Sequence, residues 1–124
     1  MEYEIYRSEG LVEVVTHGEG DPKVFQDLLI DVLAHPDWKP GNSILMNHTD
    51  LKGGPLDADK LRMLADIVNA SRDKLGSSRM AILTPGSLEF GLGRMWQTFV
   101  EDKWDGTSDL FRSKKDAERW LMKP

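Results

Sequence analysis

Arg79-Met80-Ala81-Ile82-Leu83-Thr84-Pro85-Gly86-Ser87-Leu88-Glu89-Phe90-Gly91-Leu92-Gly93-Arg94-Met95-Trp96-Gln97-Thr98-Phe99-Val100 contains a short apolar run, a Pro-Gly stop and a helical repeat. Met80 to Leu83 has strand length and no polar alternation, the pattern of a strand buried on both faces. The segment after Ser87 has apolar residues three and four apart, with Leu92, Met95, Trp96, Phe99 and Val100 expected to point inward. Leu110-Phe111-Arg112 then reads as another short strand. Ser113-Lys114-Lys115-Asp116-Ala117-Glu118-Arg119-Trp120-Leu121 reads as a capped amphipathic helix with Trp120 and Leu121 on its core side.

Upstream of this stretch the same alternation continues. Tyr3 and Ile5, then Leu11, Val12, Val14 and Val15, lie in two β-prone runs joined by Ser8-Glu9-Gly10, which predicts an opening antiparallel pair. Asp21-Pro22 caps and starts a helix whose Val24, Phe25, Leu28, Leu29, Val32 and Leu33 share one side. A loop from His35 to Asn42 follows, with Trp38 expected to be at least partly exposed. Ser43 to Asn47 reads as a central strand and Asp50 to Pro55 as a crossover. Asp57 or Asp59 starts a long helix, with Leu61, Leu64, Ala65, Val68 and Leu75 as its stripe and Gly76 as its stop. The expected architecture is a single α/β domain over residues 1–124, a mixed sheet of about five strands packed with about four helices.

Bulk properties narrow the function. The chain has 124 residues, no cysteine and a formal charge of −5. Thiolate catalysis, cysteine zinc sites and disulfides are therefore excluded. A pI of about 5.1 and dispersed Lys and Arg argue against nucleic-acid binding, which needs clustered cations. Met1-Glu2-Tyr3-Glu4 has neither the positive region nor the apolar stretch of a signal peptide. No apolar run approaches the ~20 residues of a membrane span. A cytoplasmic location is expected.

Several stretches resemble a known family, the STAS-like proteins, kin of anti-sigma-factor antagonists and sulfate-transporter cytoplasmic domains. The similarity is to the stand-alone bacterial SpoIIAA-like branch, from Leu11 to Trp120. It is carried by Leu45-Met46-Asn47-His48-Thr49-Asp50-Leu51, Arg79 to Leu83, Phe90 to Met95, Phe111-Arg112 and Ala117 to Leu121. The resemblance implies a layered sheet-and-helix fold related to the CRAL-TRIO fold, and a binding module in place of a catalyst. Regulatory members carry an Asp-Ser pair whose serine is phosphorylated. Here that region reads Gly53-Gly54-Pro55-Leu56-Asp57-Ala58-Asp59, so no phosphosite is carried over.

The resulting expectation is a non-catalytic, bacterial, cytosolic binding or regulatory module without a cofactor. Its partner is a protein or a small apolar ligand, held in the groove beside the third helix (Ser87 to Val100). Phe90, Leu92, Met95, Trp96 and Phe99 would form that surface, with Asn47, His48, Thr49 and Asp50 at its rim. Phe90-Gly91-Leu92-Gly93 lies within the helical repeat and is read as close packing or as a source of helix mobility. Thr84, Gly86 and Ser87 mark a helix start that can bind an anion, although capping by Ser87 is the simpler reading. Two alternatives belong to other classes. His17, His48 and Asp50 supply donors for a metal or for acid–base chemistry if their strands bring them to one edge. The third helix can also be a purely structural homodimer interface. Glu9, Glu13, Asp27 and Asp31 are expected on solvated faces.

Overall fold

A computed structural model describes residues Met1–Pro124. The opening pair forms as the turn chemistry predicts. β1 (Glu2–Ser8) and β2 (Leu11–Glu19) run antiparallel, joined through Gly10 at φ +74°, a left-handed turn conformation that favours glycine. α1 (Pro22–Ala34) starts where Asp21 accepts a hydrogen bond from the Lys23 amide at 3.0 Å. β3 (Ser43–Lys52), α2 (Ala58–Ala70), a single-turn α3 (Arg72–Leu75), β4 (Arg79–Leu83), α4 (Ser87–Val100), β5 (Thr107–Phe111) and α5 (Lys114–Leu121) complete the order.

The five strands form one sheet in the order β1-β2-β3-β4-β5, with every pair after the first parallel. Parallel neighbours need crossovers; the intervening helices α1, α2 and α4 cover one face of the sheet, and the terminal α5 packs on the other. Ile44, Met46, Met80 and Ile82 lie on one face in the larger core with residues of α1, α2 and α4. The alternate residues Leu45, Ala81 and Leu83 pack with Ala117 of α5 on the other. The period-two alternation of the strand backbone assigns these two sets. No helix is long and apolar enough to cross a membrane.

Four local expectations need correction. β3 continues through Asp50-Leu51-Lys52 instead of ending at Asn47. The long helix is interrupted at Ser71, whose φ of −101° and ψ of 7° depart from helical geometry, so the stretch that follows forms the separate single-turn α3. Trp38 is buried, with 8 % of its surface exposed. Its indole N–H reaches the Lys74 carbonyl at 2.8 Å, pinning the α1–β3 loop against α3. Glu13 is no free surface acid either: its carboxylate accepts from Asn47 Nδ2 at 3.1 Å and lies 3.3 Å from Lys114 Nζ.

The two helix glycines separate cleanly. A Cβ at Gly91 would meet nothing within 4 Å, whereas one at Gly93 would lie 2.5 Å from Leu110 Cδ2. Leu110 is buried in β5, so its branch has little room to turn. Gly93 thus lets α4 lie against β5. Gly91→Ala is expected to raise stability by up to about 1 kcal/mol through helix propensity alone. Gly93→Ala is expected to lower it by about 1–2 kcal/mol, overpacking outweighing propensity. Urea denaturation of the two variants checks the opposite signs, and equal effects would refute this account of the α4–β5 contact.

Candidate functional site

An apolar cavity with a volume of about 110 Å³ lies between the sheet and the α1–α2–α4 layer. Phe25, Leu28 and Leu29 of α1, Leu61, Leu64, Ile67 and Val68 of α2, and Leu92 and Trp96 of α4 wall it on the helical side. Met46, Met80 and Ile82 form the sheet side, and Leu51 and Leu56 close the region of the β3–α2 connection. Of 19 lining residues 14 are hydrophobic; the others are His48, Thr84, Glu89, Gly53 and Gly93. The interior is apolar, with a small polar set near the carboxyl ends of β3 and β4. Leu28, Met46, Met80 and Trp96 are buried, whereas Phe25, His48, Leu56, Glu89 and Leu92 are half-buried and mark the mouth.

A bulge in β3 builds this mouth. Val15 pairs with Asn47, but two residues later His17 pairs with Asp50, so β3 carries one extra residue. The extra residue reverses the alternation beyond it. His48 before the bulge and Leu51 after it can therefore both line the cavity. The His48 ring lies edge-on to Phe25, with centroids 5.5 Å apart and planes at 87°. Its Nδ1 is 2.6 Å from Thr16 Oγ1, a hydroxyl that also lies 3.4 Å from the Asn47 carbonyl oxygen. Burial of the imidazole disfavours its charged form and lowers its pKa to about 4.

Glu89 joins the other side of the mouth. It stands in the first turn of α4, where a negative charge is favourable to the helix dipole. Its Oε2 accepts a hydrogen bond from the Gly53 amide at 3.1 Å, fastening the β3–α2 connection to α4. Gly53 leaves space for the cavity wall, because a Cβ there would lie 2.7 Å from Leu92 Cδ1. Thr84 is tied to β5, its hydroxyl donating to the Phe111 carbonyl at 3.3 Å.

Of the residues singled out in sequence, His48, Thr84, Leu92 and Trp96 meet in this cavity. Asn47 instead faces Glu13 and holds Thr49 through its amide oxygen, at 2.6 Å from the Thr49 hydroxyl. Thr49 and Asp50 are exposed. Phe90 and Phe99 are half-buried beneath guanidinium groups, Arg94 at 5.0 Å and Arg62 at 4.7 Å. Met95, expected inward, is 41 % exposed. At the start of α4 the cap is Gly86 without a side-chain bond, and Ser87 is the first helical residue, so the capping role assigned to Ser87 does not hold.

The histidines do not converge. Thr16 and His17 are consecutive in β2 and point to opposite faces. His48 meets Thr16, while His17 lies 2.7 Å from Glu4 Oε2 and 3.8 Å from Asp50 Oδ2. No group of three metal-ligating side chains forms, so the metal or acid–base alternative lacks its constellation. Glu89, Gly53, Phe25, Leu28 and Leu29 belong to the cavity but escaped sequence reasoning as site residues. Glu89 alone carried a clue, as an acid in the first turn of a helix with an apolar stripe.

No protein-family model matches the chain, and no curated protein does. A solved structure does: an uncharacterised protein of the DUF3478 family, with a SpoIIAA-like fold, from Shewanella loihica PV-4. It shares 24 % identity with a TM-score of 0.61, and the match covers 97 % of this chain and 92 % of that one. The likeness spans the sheet and both helical layers, and it identifies the architecture of this chain as the SpoIIAA-like fold.

Proposed function

We propose that the chain is a non-catalytic binding module whose cavity beside α4 takes a small apolar ligand. The apolar cavity of about 110 Å³, reached through a mouth with few polar groups, carries this reading. It offers many times the ~10–15 Å³ needed for one water and approaches the ~150 Å³ of an apolar cavity that binds benzene. A regulatory role is compatible with α4, which contributes Leu92 and Trp96 to the cavity and exposes Leu88 and Met95 to solvent. Those two exposed residues, seven apart on one helical face, favour a second reading in which a protein partner or another copy covers α4.

Methionine methyl resonances separate the two readings. Met46 and Met80 line the cavity, while Met63, Met95 and Met122 are exposed. Benzene titrated into protein labelled with ¹³C at its methionine methyls is expected to shift Met46 and Met80 in a saturable manner, leaving the exposed three in place. Shifts confined to Met63 and Met95 would transfer the site to the outer face. An unchanged spectrum would refute the cavity reading.

A further inference from the structure

Resting on the cavity reading, we propose that the ligand is a neutral molecule of about one ring bearing a hydroxyl, which hydrogen-bonds to Nε2 of His48. The imidazole has one nitrogen committed and one available. Nδ1 is taken by Thr16 at 2.6 Å, and Phe25 braces the ring at 87°. Nε2 makes no hydrogen bond to protein, and the ring lines the cavity.

A hydroxyl fits this nitrogen in either of its states. When the Thr16 hydroxyl donates to Nδ1, Nε2 carries the proton and needs an acceptor. When that hydroxyl donates to the Asn47 carbonyl, 3.4 Å away, Nδ1–H donates to Thr16 and Nε2 needs a donor. A ligand hydroxyl is both donor and acceptor, whereas a carbonyl serves only the first arrangement.

Charge decides against an anionic head group. No Lys or Arg lines the cavity, and Glu89 is the one carboxylate in it. The low basicity of His48 keeps the imidazole neutral at pH 7. A ligand carboxylate would lose its hydration without gaining a cation, and would face Glu89. Size limits the remainder of the ligand to about one ring or a short branched chain, by comparison with a ~150 Å³ cavity that accepts benzene.

The experiment compares phenol, benzene and benzoate at pH 7 by the shifts of the Met46 and Met80 methyls. Phenol is expected to bind about tenfold more tightly than benzene, the contribution of one net hydrogen bond. Benzoate is expected to produce no saturable shift at concentrations that saturate with phenol. The His48 imidazole ¹⁵N resonances should respond to phenol and not to benzene, a readout that requires no variant. His48→Leu should equalise phenol and benzene, with retained benzene binding reporting an intact cavity. Equal affinities in the wild-type protein, or tighter binding of benzoate, would overturn the hydroxyl proposal while leaving the apolar cavity standing. If neither benzene nor phenol moves the two methyls, both readings fall together.

Discussion

Trp38→Ala is expected to destabilise the protein by about 3–5 kcal/mol, the range for deleting a buried aromatic side chain. Trp38 lies in a Pro-rich loop, but its indole is part of the main core. Two losses combine on truncation. The cavity left behind forfeits packing, and the Lys74 carbonyl loses the indole donor now 2.8 Å away. The loop has a second attachment through the Gly41 amide, which donates to the Leu75 carbonyl at 2.9 Å. Gly76 completes the contact at φ +61°, close enough to Pro40 that an added Cβ would lie 3.0 Å from Pro40 Cβ. Trp38→Phe keeps most of the apolar volume and should cost less than half as much as alanine. Urea unfolding followed by circular dichroism measures both, and a loss within about 0.5 kcal/mol for the alanine variant, the range of ordinary surface substitutions, would contradict the burial described here.

The misreading of Trp38 shows which kind of information local sequence lacks. Prolines at 36 and 40 signal a loop correctly, but burial of that loop depends on a carbonyl 36 residues away. The α1 stripe was legible because helix burial repeats within a few residues, and Leu28, Leu29 and Val32 are buried as their spacing requires. α4 was legible in part. Leu92 and Trp96 reach the cavity, while Met95 falls outside the stripe and Phe99 is covered by Arg62. The rotation of a helix about its axis is set by its neighbours, here α2 and β5, and periodicity alone leaves it free by about one residue.

The candidate site was harder to read for a related reason. Placing His17 beside Asp50 was sound, since parallel pairing makes them register partners. Placing His48 with them assumed that both strands end at their histidines and gather all three groups at one edge, whereas β3 runs on to Lys52. The extra residue in β3 brings Asp50 opposite His17, while His48 stays beside Thr16, so the two imidazoles lie on opposite faces. A one-residue bulge has no strong marker within His48-Thr49-Asp50. It becomes visible only when the neighbouring strand is in place. Glu89 was hidden likewise, because its partner is the backbone of Gly53, an atom common to every residue type.

Acidification is expected to remove roughly 3 kcal/mol of stability through His48 alone. The unfolded chain takes up its imidazole proton near pH 6.5, whereas in the folded protein burial lowers this to about 4. Between those values the unfolded state holds more protons, so stability falls as pH falls. The contribution is fully present above pH 6.5, declines through the interval and is exhausted below about pH 4. Its size follows from about 1.4 kcal/mol for each pH unit of separation. Glu89 is the other ionisable group lining the cavity, and carboxylates elsewhere also respond to acid, so the comparison must isolate the imidazole. His48→Leu provides it: the stability difference between wild type and variant should move by roughly 3 kcal/mol in the variant's favour from pH 7.5 to pH 4. The same neutral imidazole predicts that phenol affinity stays nearly constant from pH 7.5 to 5.5, where the folded protein leaves His48 unprotonated. An imidazole resonance that instead titrates near pH 6.5 in the folded protein would show that water reaches the ring freely. The desolvation of the imidazole on which both the stability slope and the hydroxyl preference depend would then be absent.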